Sequence, residues 1–592
     1  MRSGLEAAPA PPGAASSRPR TLAVAIGQHS DAGRKSENQD SHGAAVPDGP
    51  ALALKGVALA VADGISSSPV SRIAAETAVK SFLDQYYATS DTWTVETAGQ
   101  RVIRSVNAWL HGETRRSGQG EDPDRGHVCT FSAVVLKART AHLFHVGDAR
   151  IFRLAGRALE PLTEDHRLTL GGRSYLGRAL GMAPEIAIDY RSLPIAEGDV
   201  LVLSTDGVHE HLPGRVVADL IAEHADDLEL AARSIVEAAL EAGSDDNLTV
   251  QIVRVDGLPE GDAVDLVEGG AEACPPAPIL SPPCEFEGYR VLRQIHASHR
   301  SHIYLAADGE SGEQVALKVP SVDLRGDAAL LRQFMMEEWI ARRVDSPHLL
   351  KSIAPRRARS HLYVVTEHVE GITLRQWMYD NPAPDLPAVR DIVGQLVKGV
   401  RALHRKQMVH GDLRPENVMI TPQGLVKVID FGSVRAAGVL EAAPAEGEQV
   451  LGTLQYTAPE CLLGEPASWR SDLFAIGVIA YEMLTGRLPY GAQASRVRTR
   501  DEARALRYAP AAQDSRAIPP WIDGALRCAV HPDPTRRHEA LSEFVADLKI
   551  PNPRFARTGF TPLAERDPVR FWQGVSLVLA LIVFALLVRM FG

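Results

Sequence analysis

The sequence predicts a multidomain α+β fold: two folded regions in series, then one C-terminal transmembrane helix. Three observations carry this. From Thr21 onward, short apolar runs rich in β-branched residues alternate with helix-period stretches, the pattern of mixed sheet-and-helix domains. Over 257–285 the periodicity stops, and Pro259, Pro275, Pro276, Pro278, Pro282 and Pro283, with Gly269-Gly270, mark a linker. Near the end, Phe571 to Val588 runs 18 residues without a charge.

The elements follow in order. Residues 1–20 are rich in Ala, Pro, Ser and Gly and lack an apolar h-region, so they read as a disordered tail and not a secretory signal. In the first region, 21–256, strands are expected at 56–62, 129–136, 141–146, 199–204 and 247–255, and helices at 70–87, 97–114 and 228–242. The second region, 286–550, is strand-rich first and helix-rich later, with a helix at 327–344. Residues 551–570 carry four prolines and form a juxtamembrane link. The span itself, 571–589, has Phe571 and Trp572 at one edge, Arg566 and Arg570 before it and Arg589 at its end. It reads as a single-pass tail anchor that attaches the chain to a membrane and leaves both folded regions in the cytoplasm.

At 592 residues there is room for two full domains, and a net charge of −11 argues against nucleic acid as a partner. The five cysteines show no CxxC spacing, and they read as reduced thiols in a cytosolic protein.

In the first region, Asp63, Asp148 and Asp206 each follow an apolar strand-like run, and Asp246 opens another. A carboxylate at a strand end projects into a loop-lined cleft, and Gly64 and Gly207 let the backbone turn sharply beside it. Oxygen-only ligands suit Mg²⁺ or Mn²⁺. Two such ions activate water for attack on phosphorus without a covalent enzyme intermediate. One Asp-Gly after a strand is usually only a turn, but four acids in these contexts are not.

The motifs Gly33-Arg34…Asn38-Gln39-Asp40, Val61-Ala62-Asp63-Gly64, His145-Val146-Gly147-Asp148-Ala149-Arg150, Leu162-Thr163-Glu164-Asp165-His166, Leu176-Gly177-Arg178-Ala179-Leu180-Gly181, Ser204-Thr205-Asp206-Gly207 and Asp245-Asp246-Asn247-Leu248-Thr249 occur in the order of the PP2C-type Ser/Thr phosphatases, which this region resembles. The resemblance implies a four-layer αββα sandwich with a dimetal site at one end. It implies that Asp63 bridges both metals, that Gly64 offers its carbonyl, and that Asp206 and Asp246 complete one metal. Asp40 lies in the same cluster and Asp148 serves a third, looser metal. The chain departs from the pattern at Lys35, where the family usually has a phosphate-binding arginine, and lysine lacks the planar two-pronged contact. Gln39 stands where an acid is common, and Ile65-Ser66-Ser67-Ser68 replaces a Gly-rich turn.

In the second region, the strand Val315-Ala316-Leu317-Lys318 ends in lysine, and Glu337 lies on the expected helix at 327–344. A lone lysine on a strand is usually a surface residue. Here it is followed by His410-Gly411-Asp412-Leu413-Arg414-Pro415-Glu416-Asn417, Asp430-Phe431-Gly432, Ala458-Pro459-Glu460, Asp472…Gly477 and Arg537. In this order the residues resemble the Hanks-type Ser/Thr protein kinases, with their bilobal fold. The resemblance implies that Lys318 and Glu337 pair to hold the ATP phosphates, and that Asp412 orients the substrate hydroxyl and accepts its proton. It implies that Asn417 and Asp430 bind Mg²⁺, and that Arg414 contacts the γ-phosphate. Ile295 and Ile303 flank the nucleotide, Glu367 to Val369 form the adenine hinge behind Thr366, and Glu460 and Arg537 make a structural ion pair.

Two departures bear on function. The nucleotide-covering loop, Ile295-His296-Ala297-Ser298-His299-Arg300-Ser301-His302-Ile303, contains no glycine, so its backbone N–H groups approach phosphate less closely. His296, His299, His302 and Arg300 offer positive charge instead. Gly411 replaces the arginine that receives a phosphorylated activation loop, and residues 434–452 contain no Ser, Thr or Tyr. Ser433, Thr453 and Thr457 remain, and loop phosphorylation is not expected to be the switch. The leading reading is an anchored bifunctional Ser/Thr kinase and metal-dependent phosphatase acting on proteins, its own Ser281 or Thr558 among them. The alternative is an active phosphatase controlled by a nucleotide-binding pseudokinase or scaffold.

Overall fold

The computed structural model describes residues 21–117, 125–170, 173–259, 274–298, 301–321, 328–354, 356–442, 455–511, 518–556 and 568–591. The expected tail at 1–20 lies outside them, as do His299, Arg300, Thr453 and Thr558.

The first region stacks two five-stranded antiparallel sheets. One orders Ala23–Asp31, Leu248–Gly257, Val200–Ser204, Arg150–Ala155 and Ala158–Pro161; the other orders Asp189–Pro194, Thr140–Val146, Phe131–Lys137, Val57–Asp63 and Asp40–Ala45. Their facing sides share a core of Val57, Leu59, Val61, Val134, Leu136, Leu201, Leu203, Val253 and Val255. The opposite residues of the same strands, Ala58, Ala60 and Ala62, pack outward against helices Ser71–Ala88 and Val95–Arg116. Helices Gly214–Glu223 and Leu228–Glu241 cover the other sheet. Strands buried on both faces explain why these runs are continuously apolar and not alternating. The result is the four-layer αββα sandwich. Strands and helices fall within a few residues of the expected positions, and Thr94 caps the helix Val95–Arg116 by accepting from the Thr97 amide at 3.2 Å.

The second region is bilobal. Its smaller lobe is a five-stranded sheet of Cys284–Phe286, Tyr289–Ala297, Ser301–Asp308, Gln314–Pro320 and Val364–Glu367, beside helix Ala328–Arg343. Its larger lobe is built on helices Leu386–His404 and Trp469–Thr485. The first buries Val389, Ile392, Val393, Leu396, Val397, Val400 and Leu403 at helical spacing, and the Asp385 carboxylate caps it. The second opens on a Ser468–Ser471 capping box and closes on left-handed Gly486. The proline-rich stretch differs from a free linker at its end: Ala277 and Leu280 join the small-lobe core, and Leu362 donates to the Pro275 carbonyl at 2.9 Å. Apolar side chains between the prolines account for this docking.

The C-terminal expectation is corrected. A helix does run Pro568–Phe591, but among the described residues no helix is long and apolar enough to cross a membrane. Side chains are described only as far as Val583, and Arg570, Gln573 and Ser576 interrupt that part, so its continuous apolar run begins at Leu577. A crossing helix needs about 20 predominantly apolar residues. The transmembrane span at 571–589, the membrane partner and the single-pass placement that rested on it are therefore withdrawn.

Candidate active sites

Strand pairing brings the first acids together. Asp40, the first residue of its strand, lies directly opposite Asp63, the last residue of the neighbouring one. Asp40 is almost fully buried, and its Oδ2 accepts from the Thr205 and Thr249 hydroxyls at 2.9 and 2.7 Å, whereas its Oδ1 has no hydrogen-bond partner. Burial, opposed by those hydroxyls, pushes its carboxyl up to about 6. Asp63 is raised well above the usual carboxylate range by burial and by the charges of Asp40, Asp206, Asp148 and Asp246. Asp206, at the start of the short helix Asp206–His209, is pushed up to about 7 by burial and then by Asp148, Asp246, Glu210 and Asp40. Three raised carboxylates, with the charges of Asp148 and Asp246 beside them, are crowded into one cleft.

Cations of the chain itself partly neutralise the crowd. The Arg167 guanidinium spans Asp148 at 2.8 Å, Asp206 at 3.0 Å and Glu210 at 2.9 Å. Lys35 reaches Asp246 at 3.0 Å and donates to the Ser66 hydroxyl at 2.9 Å. As the side chains stand, no group of three or more His, Cys, Asp or Glu among the described residues is gathered tightly enough to hold an ion. The donor set nevertheless fits a hard divalent cation: it is all oxygen, it includes the orphaned Asp40 Oδ1, and it is repelled by its own charge. Gly64 and Gly207 serve by space and not by turning. A Cβ on Gly64 would stand 2.8 Å from the Ser71 backbone, and one on Gly207 2.0 Å from the Asn247 carbonyl oxygen.

In the second region, the Lys318 ammonium contacts both Glu337 oxygens, at 2.8 and 2.6 Å, and lies 3.8 Å from Asp430. Glu337 is buried, which raises its carboxyl; Lys318 opposes that rise and Asp430 adds to it. Asn417 donates to the Asp412 carbonyl at 2.9 Å, closing the loop that carries both. Asp472 fixes the loop's entry, accepting from the His410 and Gly411 amides at 2.9 Å each and from His404 at 2.8 Å. Burial alone would raise Asp472, but the His404 bond and charge, the His410 charge and the Gly411 amide hold it below its ordinary value. Phe431 is buried with its ring edge-on to His410, and Gly432 donates to Asp430 Oδ1 at 3.1 Å. Arg537 grips Glu460 with two bonds of 2.6 and 2.7 Å.

The remaining expected residues are less uniform. Arg414 lies 3.6 Å from Glu416. Ile303 pairs opposite Lys318 on the neighbouring strand, whereas Ile295 is 41% exposed. The Glu367 carboxylate is held by Lys427 at 2.6 Å and by the Lys351 amide at 2.9 Å, and Val369 is half-buried just beyond. Sequence reasoning missed Arg167, Thr205 and Thr249. Thr205 and Thr249 stood inside quoted motifs, so asking what satisfies a buried Asp40 was the available signal; Arg167 stood one residue beyond one.

Comparisons with known proteins divide the chain at the same place. The family model described as protein phosphatase 2C matches residues 28–242, and that described as protein kinase domain matches 289–548. Serine/threonine-protein kinase PrkC of Bacillus subtilis is 29% identical over 44% of this chain and 40% of its own length. Serine/threonine-protein kinase PknL of Mycobacterium tuberculosis is 31% identical over 45% of this chain and 69% of its own. The chain thus spans well under half of PrkC, the matched part being the kinase domain. Among solved structures, the Mycobacterium tuberculosis serine/threonine phosphatase PstP/Ppp is 19% identical with a TM-score of 0.34, over 40% of this chain and 99% of that one. A structure of the PstP catalytic domain is in complex with two manganese ions. These two domains imply use of nucleotide and divalent metal and action on protein substrates. The chain belongs to the protein kinase family, with a PP2C phosphatase domain fused ahead of its Ser/Thr kinase domain.

Proposed function

We propose that the chain is a bifunctional signalling enzyme that phosphorylates Ser/Thr of proteins with ATP and hydrolyses phosphoserine and phosphothreonine at an acidic metal site. The observation that carries the kinase reading is Lys318 held between Glu337 and Asp430. In that position the ammonium meets the α- and β-phosphates of ATP. Asp412 orients the acceptor hydroxyl and takes its proton, Asn417 and Asp430 would hold Mg²⁺, and Arg414 meets the γ-phosphate. Ile295 and Ile303 flank the nucleotide, and the Glu367–Val369 backbone binds adenine.

On the phosphatase side Asp63, the Gly64 carbonyl, Asp206, Asp246 and Asp40 would hold Mg²⁺ or Mn²⁺, with Asp148 further out. When bound, such ions neutralise the phosphoryl oxygens and activate the attacking water. Thr205 and Thr249 hold Asp40 by its Oδ2 and leave Oδ1 unused, and Lys35 stands beside Asp246 as the cation for the incoming phosphate.

The glycine-free hairpin supports a second reading, a nucleotide-binding pseudokinase that controls the phosphatase. Full-length chain carrying Asp63→Ala, incubated with radiolabelled ATP and Mg²⁺ beside the same chain with Asp412→Ala added, separates the two. Label on the first alone establishes transfer. No label on either, nor on a casein acceptor, leaves the pseudokinase. Release of phosphate from a phosphothreonine peptide by the Asp412→Ala chain, lost on adding Asp63→Ala, tests the phosphatase.

A further inference from the structure

The two domains meet at a built interface. The Lys137 side chain, at the end of strand Phe131–Lys137, is fully buried there. It donates to the Gly438 carbonyl at 2.6 Å and to Glu441 at 3.1 Å, both in the short helix Ala437–Ala442 that follows Asp430-Phe431-Gly432. Glu441 also accepts from the Val95 amide at 2.9 Å, and Gly438 donates to the Thr92 carbonyl at 2.9 Å. A Cβ on Gly438 would stand 2.4 Å from the Trp93 carbonyl oxygen, so the contact is closed. Leu54 and Ala138 of the phosphatase domain are buried within the large-lobe core.

The same surface reaches two more parts of the kinase apparatus. Asp91 pairs at 2.9 Å with Arg343, the last residue of the helix that carries Glu337. The Thr92 hydroxyl and the Trp93 indole donate to the Lys406 and Arg405 carbonyls, and the Thr94 amide donates to Gln407 at 2.8 Å. Those three residues lead directly into the catalytic loop, and Gln407 in turn accepts from the Ala437 amide through its carbonyl at 3.0 Å. In this docked arrangement the Lys318–Glu337 pair is made and Phe431 is buried.

We propose that the phosphatase domain is the activating partner of the kinase domain. By seating Asp91–Val95 and Lys137 on Arg343, Arg405–Gln407 and Gly438–Glu441, it fixes the Glu337 helix and the segment after Asp430. It thereby takes the place of a phosphate on a segment whose residues 434–452 have no hydroxyl to carry one. The chain's first half is then both an enzyme and a structural part of the other enzyme's active site. This rests on the kinase reading above.

The test uses full-length chain with Asp63→Ala to silence dephosphorylation, and three further variants: Lys137→Met and Glu441→Gln from opposite sides of the interface, and the steric wedge Gly438→Ala. Transfer of label to casein is expected to fall at least tenfold in each. Hydrogen exchange over 328–343 and 437–442 is expected to quicken. With Asp63 intact, the same substitutions should leave p-nitrophenyl phosphate hydrolysis within twofold, which shows that the phosphatase domain is still folded. Transfer that is unchanged or raised in Lys137→Met and Gly438→Ala overturns the proposal. If the parent chain transfers no label, the kinase reading falls and exchange decides the clamp: quickened exchange in both segments supports it, and unchanged exchange overturns it.

Discussion

Replacing Asp206 by asparagine should abolish metal-dependent hydrolysis and, in chelator, make the phosphatase domain more stable. The carboxyl stands near 7 against an ordinary 3.8, and its side chain is 20% exposed. Each unit is worth about 1.4 kcal/mol, so keeping this group charged costs the metal-free fold up to about 4 kcal/mol. Because the folded value is raised, the penalty is absent below the unfolded value near 4. It grows as pH rises from about 4 to about 7, and is complete above. Asparagine removes it but also weakens the Arg167 contact at 3.0 Å, which leaves a gain of about 2–4 kcal/mol at pH 8. For a domain of this size that is roughly 4–16 °C. Calorimetry of the full chain in EDTA reads it, with the phosphatase transition identified as the one that Mn²⁺ moves upward. At pH 5 the gain should shrink to roughly half or less. A phosphatase transition that is unmoved or lowered at pH 8, or raised equally at pH 5, refutes the argument that the acidic cluster is held together against its own charge.

Arg167→Ala should lower the Mn²⁺ concentration for half-maximal hydrolysis severalfold, because it removes a competing cation from Asp148 and Asp206; a higher requirement would show that Arg167 organises the site instead. Arg537→Leu leaves Glu460 buried without its bidentate partner and should cost the kinase domain about 3–5 kcal/mol, read as a lowered kinase transition in calorimetry with the phosphatase transition unmoved. Thr453→Ala with Thr457→Ala should leave casein phosphorylation within about threefold, since Gly411 offers no guanidinium to a phosphate; loss of a large activation would overturn that.

Part of this was legible because three of the clustered acids each follow a run of apolar residues, and an acid ending such a run marks a strand end. Asp63, Asp148 and Asp206 announce themselves in that way, and Lys318 and Asp430 gain meaning from their order in the chain. Their pairing is a different matter. Asp40 opposite Asp63 is a fact of sheet register, and the Thr205 and Thr249 hydroxyls matter only once Asp40 is seen to be buried. Arg167 bridges Asp148 and Asp206 through a fold-back that local patterning does not encode. Lys137 and Glu441 are 304 residues apart, and each alone reads as an ordinary surface charge. At the C-terminus an uncharged stretch was read as a span, but freedom from charge is not continuous apolarity, and among the described residues no helix is long and apolar enough to cross a membrane.

Strand Phe131–Lys137 has one end beside the acidic cluster, where the Asp63 amide donates to Thr130, and the other in Lys137 against the kinase segment. At about 3.3 Å per residue it is a strut of roughly 20 Å between the two workplaces. The kinase segment that Lys137 holds therefore sits at the far end of the strut from this molecule's own hydrolytic cleft. If that cleft acts on the one hydroxyl of Asp430–Glu441, Ser433, it acts from a second copy of the chain, and the rate at which the mark is lost should rise with the chain's concentration.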